Sequence, residues 1–91
     1  MSDLDDIKLV LRDIVLREVL RGRHPAPLDD GAALVTSGLV DSLKLVALVS
    51  RVRARLGVSI DLRAAPLREL DTLDALARYV HARRVGGSID E

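Results

Sequence analysis

Tyr79 is the only residue of the Phe, Trp and Tyr class in this chain, and cysteine is absent. The interior must therefore be filled by Leu, Val, Ile and Ala, a mixture that suits helix-on-helix packing; Leu and Ala are also among the best helix formers. No disulfide and no thiolate metal site can compensate for a thin core. At 91 residues the chain makes one domain, and a domain of this size buries only about 60–65% of the surface its unfolded form exposes. These constraints point to an all-α fold.

Fourteen basic and fourteen acidic residues give a formal net charge of zero. A general nucleic-acid binder carries a basic excess, so nucleic acid is not expected as a partner. No apolar run reaches the length of a membrane span, and the acidic start Met1-Ser2-Asp3-Leu4-Asp5-Asp6 is unlike a signal peptide. The expectation is a cytoplasmic monomer without a membrane partner, with Met1 opening a free-standing domain.

Helical spacing links Leu4, Ile7, Val10, Leu11, Ile14, Val15 and Leu20, which predicts a first helix from Asp3 to about Leu20. Ser2 or Asp3 can cap it, and Gly22, Pro25 and Pro27 end it. A long connection from Gly22 to Val40 follows, with Leu28, Leu34 and Leu39 as anchors onto the core. A second helix is predicted from Ser42 to Leu56, stopped by Gly57. Val58-Ser59-Ile60 reads as extended. Pro66 to Leu70 reads as a short helical turn with Pro66 at its first position. Asp71 or Thr72 then caps a last helix that buries Leu73, Leu76, Ala77 and Val80. The expected architecture is a four-helix bundle: three main helices plus a short third one, with a long loop between the first and second. The domain spans 1–85 and a flexible tail spans 86–91.

Winding Ser42–Leu56 at about 100° per residue places Leu45, Leu48, Val49, Val52 and Leu56 on the core side. Leu43, Ala47, Ser50 and Ala54 fall opposite, so Leu43 is expected in solvent, with Val46 at the edge between the faces. Lys44, Arg51 and Arg55 gather on one flank, and the helix has no acidic residue. Two readings of that flank stand: a solvated face favoured by the helix dipole, or a docking patch for an acidic partner.

Ser42 follows Asp41 where a turn hands over to the helix. Asp and Ser are favoured caps, so a purely structural role is one reading. A catalytic serine would need a base and an oxyanion site, and the glycines of the Gly-x-Ser-x-Gly elbow are missing. His24, near Asp29 and Asp30, reads as a surface loop residue, and His81 as solvent-facing on the last helix. No catalytic residue and no metal site are assigned. The remaining reading is attachment of a phosphodiester, which the free N–H groups and positive end of a helix accommodate.

Gly38-Leu39-Val40-Asp41-Ser42-Leu43, followed by Val46, Leu48, Val49, Val52, Leu56, Val58 and Ile60, resembles the signature of acyl and peptidyl carrier proteins. The likeness runs on to the closing Thr72-Leu-Asp-Ala-Leu-Ala-Arg-Tyr-Val80 and covers nearly the whole chain. It implies a non-enzymatic carrier. Ser42 would be esterified by a 4′-phosphopantetheine arm from coenzyme A, whose thiol holds an acyl or aminoacyl group as a thioester. Asp41 would assist that modification, and Leu43 and Val46 match positions that meet partner enzymes. The implied partners are a phosphopantetheinyl transferase, a loading enzyme (adenylating ligase or acyltransferase) and a downstream acyl-processing or condensing enzyme.

Two features depart from fatty-acid carriers, whose second helix is acidic. Here the helix is basic, and Ala47 stands where glutamate is usual. The motif also has one more residue between Gly38 and Asp41 than Gly-x-Asp-Ser, a form similar to D-alanyl carriers and free-standing natural-product carriers. Lys44, Ala47, Arg51 and Arg55 join Leu43 and Val46 as expected partner-binding residues. Two rivals are a small helical interaction module in which Ser42 is only a cap, and a helix-turn-helix DNA binder using Arg51, Arg53 and Arg55.

Overall fold

The computed structural model describes residues 3–21 and 28–87, with the backbone alone for 85–87. All regular structure in these residues is helical, with no strand. Helix α1 spans Asp3–Asp13, α2 spans Ser42–Leu56 and α3 spans Leu73–Gly87. The expectations attached to Ser2, Gly22, His24, Pro25 and Pro27 lie outside the described residues.

The first helix is not one regular cylinder. After Asp13 the chain continues as a π-helical segment, Ile14–Val19, closed by a bond from the Leu20 N–H to the Val15 carbonyl at 2.8 Å. The cause is visible in the apolar pattern. An α-helix carrying Leu11, Ile14 and Val15 on its buried side would next bring residue 18 inward, and residue 18 is glutamate. The wider π turn skips it and buries Val19 and Leu20 instead. Helix α1 packs mainly on α3, whereas the π segment packs on α2.

The core is aliphatic, as the composition requires. Ile7, Leu11, Ile14 and Val15 meet Leu34 and Val40 of the connection, Leu48 and Val52 of α2, and Leu73, Leu76, Ala77 and Val80 of α3. Within the connection Leu28 and Leu34 are buried as expected, but Val40 is the third fully buried anchor and Leu39 is only half-buried. Val40 takes that place because its N–H bonds back to the Leu34 carbonyl at 2.8 Å, which turns it inward. His81 is half-buried rather than solvent-facing; it lies one turn along α3 from the buried Ala77.

Gly57 ends α2 in the left-handed region (φ 70°), its N–H bonded to the Arg53 carbonyl at 3.0 Å. Val58 and Ile60 then point inward with Ser59 outward, an extended alternation. The expected short helix is a three-residue 3-10 turn, Leu67–Glu69, with Pro66 as its extended cap (ψ 142°) and not its first helical residue. Helix α3 runs through Gly87, so Gly86 and Gly87 belong to the helix rather than to a tail. Nothing between Arg84 and Gly87 removes a backbone donor, and glycine costs only about 1 kcal/mol in a helix. Residues 88–91 lie outside the described residues. No helix among the described residues is long and apolar enough to cross a membrane.

Candidate functional site

Asp41 and Ser42 divide the work at the start of α2. Asp41 is the N-cap, with extended backbone (φ −81°, ψ −175°), and its Oδ1 accepts from the Lys44 N–H at 2.9 Å. Its carbonyl accepts from the Leu45 N–H at 2.8 Å, the first bond of the helix. The Lys44 N–H, opposed by desolvation and helped by the Lys44 ammonium, holds the Asp41 carboxyl below its ordinary value. The cap is therefore filled by a carboxylate. Ser42 is the first helical residue, exposed, and its hydroxyl bonds to no group among the described residues.

The approach to Ser42 is held from a distance by Asp71. One carboxylate oxygen accepts from the Val35 N–H at 2.7 Å and the Thr36 N–H at 2.9 Å; the other accepts from the Thr36 hydroxyl at 2.7 Å. The Asp71 carbonyl takes the Leu34 N–H at 2.6 Å. Burial opposes ionisation of Asp71, but the bonds from Thr36, Val35 and Leu34 outweigh it and keep the carboxyl below its ordinary value. From there the chain turns at Gly38, whose φ of 84° suits glycine alone. Its N–H bonds to the Val35 carbonyl at 3.0 Å.

A charge network secures the earlier half of the same connection. Lys8 reaches Asp30 at 3.5 Å and Asp74 at 3.1 Å, and Arg12 pairs with Asp30 and donates to the Leu28 carbonyl at 2.6 Å. Asp30 is thus engaged by two cations, which leaves it poorly placed to orient a base. Among the described residues no group of His, Asp and Glu side chains could hold a metal ion.

The side chains around Ser42 sort as the helical wheel predicts. Leu43 is 83% exposed and Val46 57%, and Ala47, Ser50 and Ala54 are exposed beside them. The basic flank is different from a free positive patch. Lys44 lies 3.5 Å from Asp41, Arg51 lies 3.4 Å from Glu18, and Arg55 lies 2.9 Å from Asp13 and 2.7 Å from Glu18. Asp13 and Glu18 come from α1 and the π segment, so a reading of charge within α2 could find only the Lys44–Asp41 pair.

The family model described as phosphopantetheine attachment site matches residues 10–80, from within α1 into α3. The chain belongs to that family. As a carrier domain it is not an enzyme, and it binds covalently attached 4′-phosphopantetheine. A comparison with curated proteins gives no match. The residues present fit the group. The carrier domain offers an exposed, unbonded serine hydroxyl at a helix start, and the Ser42 N–H beside it lacks an acceptor among the described residues. A phosphodiester there would meet the positive end of α2.

Proposed function

We propose that Ser42 is the attachment serine of a discrete acyl or aminoacyl carrier acting in natural-product biosynthesis. The observation that carries the assignment is the free Ser42 hydroxyl beside a cap already supplied by Asp41. In the priming step Ser42 Oγ attacks the pantetheine-side phosphorus of coenzyme A; a P–O bond to Ser42 forms, the pyrophosphate P–O bond breaks to release adenosine 3′,5′-bisphosphate, and the hydroxyl proton passes to a base of the transferase. Asp41 assists by holding the first turn of α2 with the Ser42 side chain outward. The arm's thiol, once bound, carries the cargo as a thioester. Tethering raises the effective concentration of that cargo at each partner.

The partners in this reading are a phosphopantetheinyl transferase, an adenylating ligase or acyltransferase that loads the arm, and an acyl-processing or condensing enzyme that unloads it. The domain works as a cytoplasmic monomer. Leu43, Val46 and Ala47 form the contact face, flanked by Lys44, Arg51 and Arg55. In this reading the short turn at Leu67–Glu69, within the expected Pro66–Leu70, serves as the fourth helix of a bundle.

Intact mass after incubation with coenzyme A and a broadly tolerant transferase tests the site. The expected result is one phosphopantetheine adduct, absent in Ser42→Ala. No adduct on the wild type, or an adduct that survives Ser42→Ala, overturns it and leaves Ser42 as an ordinary first residue of a helix.

A further inference from the structure

The π segment places Glu18 against two of the arginines of α2. Were residues 14–20 α-helical, position 18 would face the core; the wider turn carries it out, 27% exposed, against Arg51 and Arg55. Asp13, at the end of α1, completes the pairing with Arg55. The Arg55 guanidinium is correspondingly held above its ordinary value, first by Asp13 and then by Glu18. With Lys44 beside Asp41, each cation of the flank lies against a carboxylate of the same molecule; Glu18 serves both arginines, and Asp13 is shared with Arg17 at 3.1 Å. What remains outward, continuous with Ser42, is Leu43, Val46, Ala47, Ser50 and Ala54, a strip without charge. Arg53 alone on α2 lacks a carboxylate partner among the described residues, and it lies on the edge opposite the masked flank, near the far end of the helix.

We propose that Glu18, aided by Asp13, is a specificity-determining residue of the docking face. It masks Arg51 and Arg55, so that the face selects a partner with an uncharged apolar socket for Leu43 and Val46 and does not engage an acidic surface. The proposal deepens the reading of Ser42 and its surroundings given above and rests on it. Attraction between surface charges weakens as the Debye length falls from about 10 Å at 0.1 M salt to about 3 Å at 1 M. Apolar burial does not weaken in that way. Salt therefore separates a masked face from a charged one.

Two measurements test this. The first needs no partner: elution from a sulfonate cation exchanger, comparing Glu18→Gln with Asp29→Asn. The two changes alter net charge equally, but Asp29 has no ion pair among the described residues. Glu18→Gln should elute at clearly higher salt, because it frees Arg51 and leaves Arg55 with Asp13 alone. Equal elution of the two variants, both with wild-type helical signal, overturns the mask.

The second is the KM for the carrier in transferase-catalysed modification, at saturating coenzyme A. From about 0.1 M to about 1 M NaCl, the wild-type KM should change less than about twofold, and Arg53→Gln should match it. Leu43→Ala should raise KM about tenfold at either salt. A wild-type KM that rises more than about tenfold with salt, or that Arg53→Gln alters as strongly as Leu43→Ala, overturns the neutral socket. Failure of Ser42 as the attachment site shows itself separately, as a missing or misplaced adduct in the mass spectrum, and leaves the elution test in force.

Discussion

Helices α2 and α3 open with nearly the same three residues, Asp41-Ser42-Leu43 and Asp71-Thr72-Leu73, yet the three positions have exchanged duties. In α3 the hydroxyl caps: Thr72 Oγ1 accepts from the Ala75 N–H at 2.9 Å. That frees the Asp71 carboxylate to reach back across the fold to Val35 and Thr36, and Leu73 is fully buried. In α2 the carboxylate caps, the hydroxyl is left over, and Leu43 stands 83% exposed. A helix start needs one good acceptor, and whichever side chain supplies it releases its neighbour for other work. At α3 the released group fastens a loop. At α2 it faces solvent and any enzyme that approaches.

The sharpest way to break this contrast is to remove the two hydroxyls in turn. Ser42→Ala should abolish the phosphopantetheine adduct while leaving the melting temperature almost unchanged, since its hydroxyl bonds to nothing among the described residues. Thr72→Ala should do the reverse: full modification by mass spectrometry, with stability lower by about 1 kcal/mol. If both variants lose stability alike, the two caps are not exchanged as described.

Asp71→Ala comes next. Loss of its three carboxylate bonds to Val35 and Thr36 should cost about 2 kcal/mol, or roughly 8–16 °C in Tm. Slower modification of Ser42 should accompany it, because the connection that leads to Gly38 and Ser42 loses its far anchor. Asp41→Ala should lower helical content and slow modification, whereas Asp41→Asn, which retains a capping oxygen, should keep the helical content and isolate the contribution of the charge. Circular dichroism together with the transferase assay distinguishes them.

The smallest effect is on pH. Both Asp41 and Asp71 are held below the ordinary carboxylate value in the folded protein. Their contribution is therefore complete above the ordinary range and is lost as pH falls through the lowered folded-state values. Acid melts should show the wild type losing stability in that window, and Asp71→Asn should flatten part of the slope. A slope unaltered by Asp71→Asn would place the acid sensitivity elsewhere.

Local pattern carried the sequence reading a long way. The bounds of α2, its stop at Gly57, the core face of α3 and the exposure of Leu43 all follow from spacing within one turn of helix. Two features escaped it for one shared reason. Asp71 bonds to residues 35 and 36 positions away, Arg55 pairs with residues 37 and 42 positions away, and neither partnership leaves a periodic trace. The π segment is a subtler case. Its apolar residues agree with an α-helix as far as Val15, and only Glu18 and Val19 disturb the period. Val40 is a further anchor that the spacing of leucines does not show, since the bond from its N–H to the Leu34 carbonyl is a matter of backbone direction.

Tyr79 gives the domain an optical character that follows from its aliphatic core. The ring lies on α3, with the Arg83 guanidinium 5.1 Å from its centre and bonded to its hydroxyl. Near-ultraviolet absorbance and intrinsic fluorescence thus arise at one spot, and that spot is on a different helix from Ser42. Emission reports on the half-buried surroundings of Tyr79 at the core edge of α3 and stays silent while an arm attached at Ser42 keeps to the α2 side. A change in Tyr79 emission on loading would then locate the cargo, without any label, against α3.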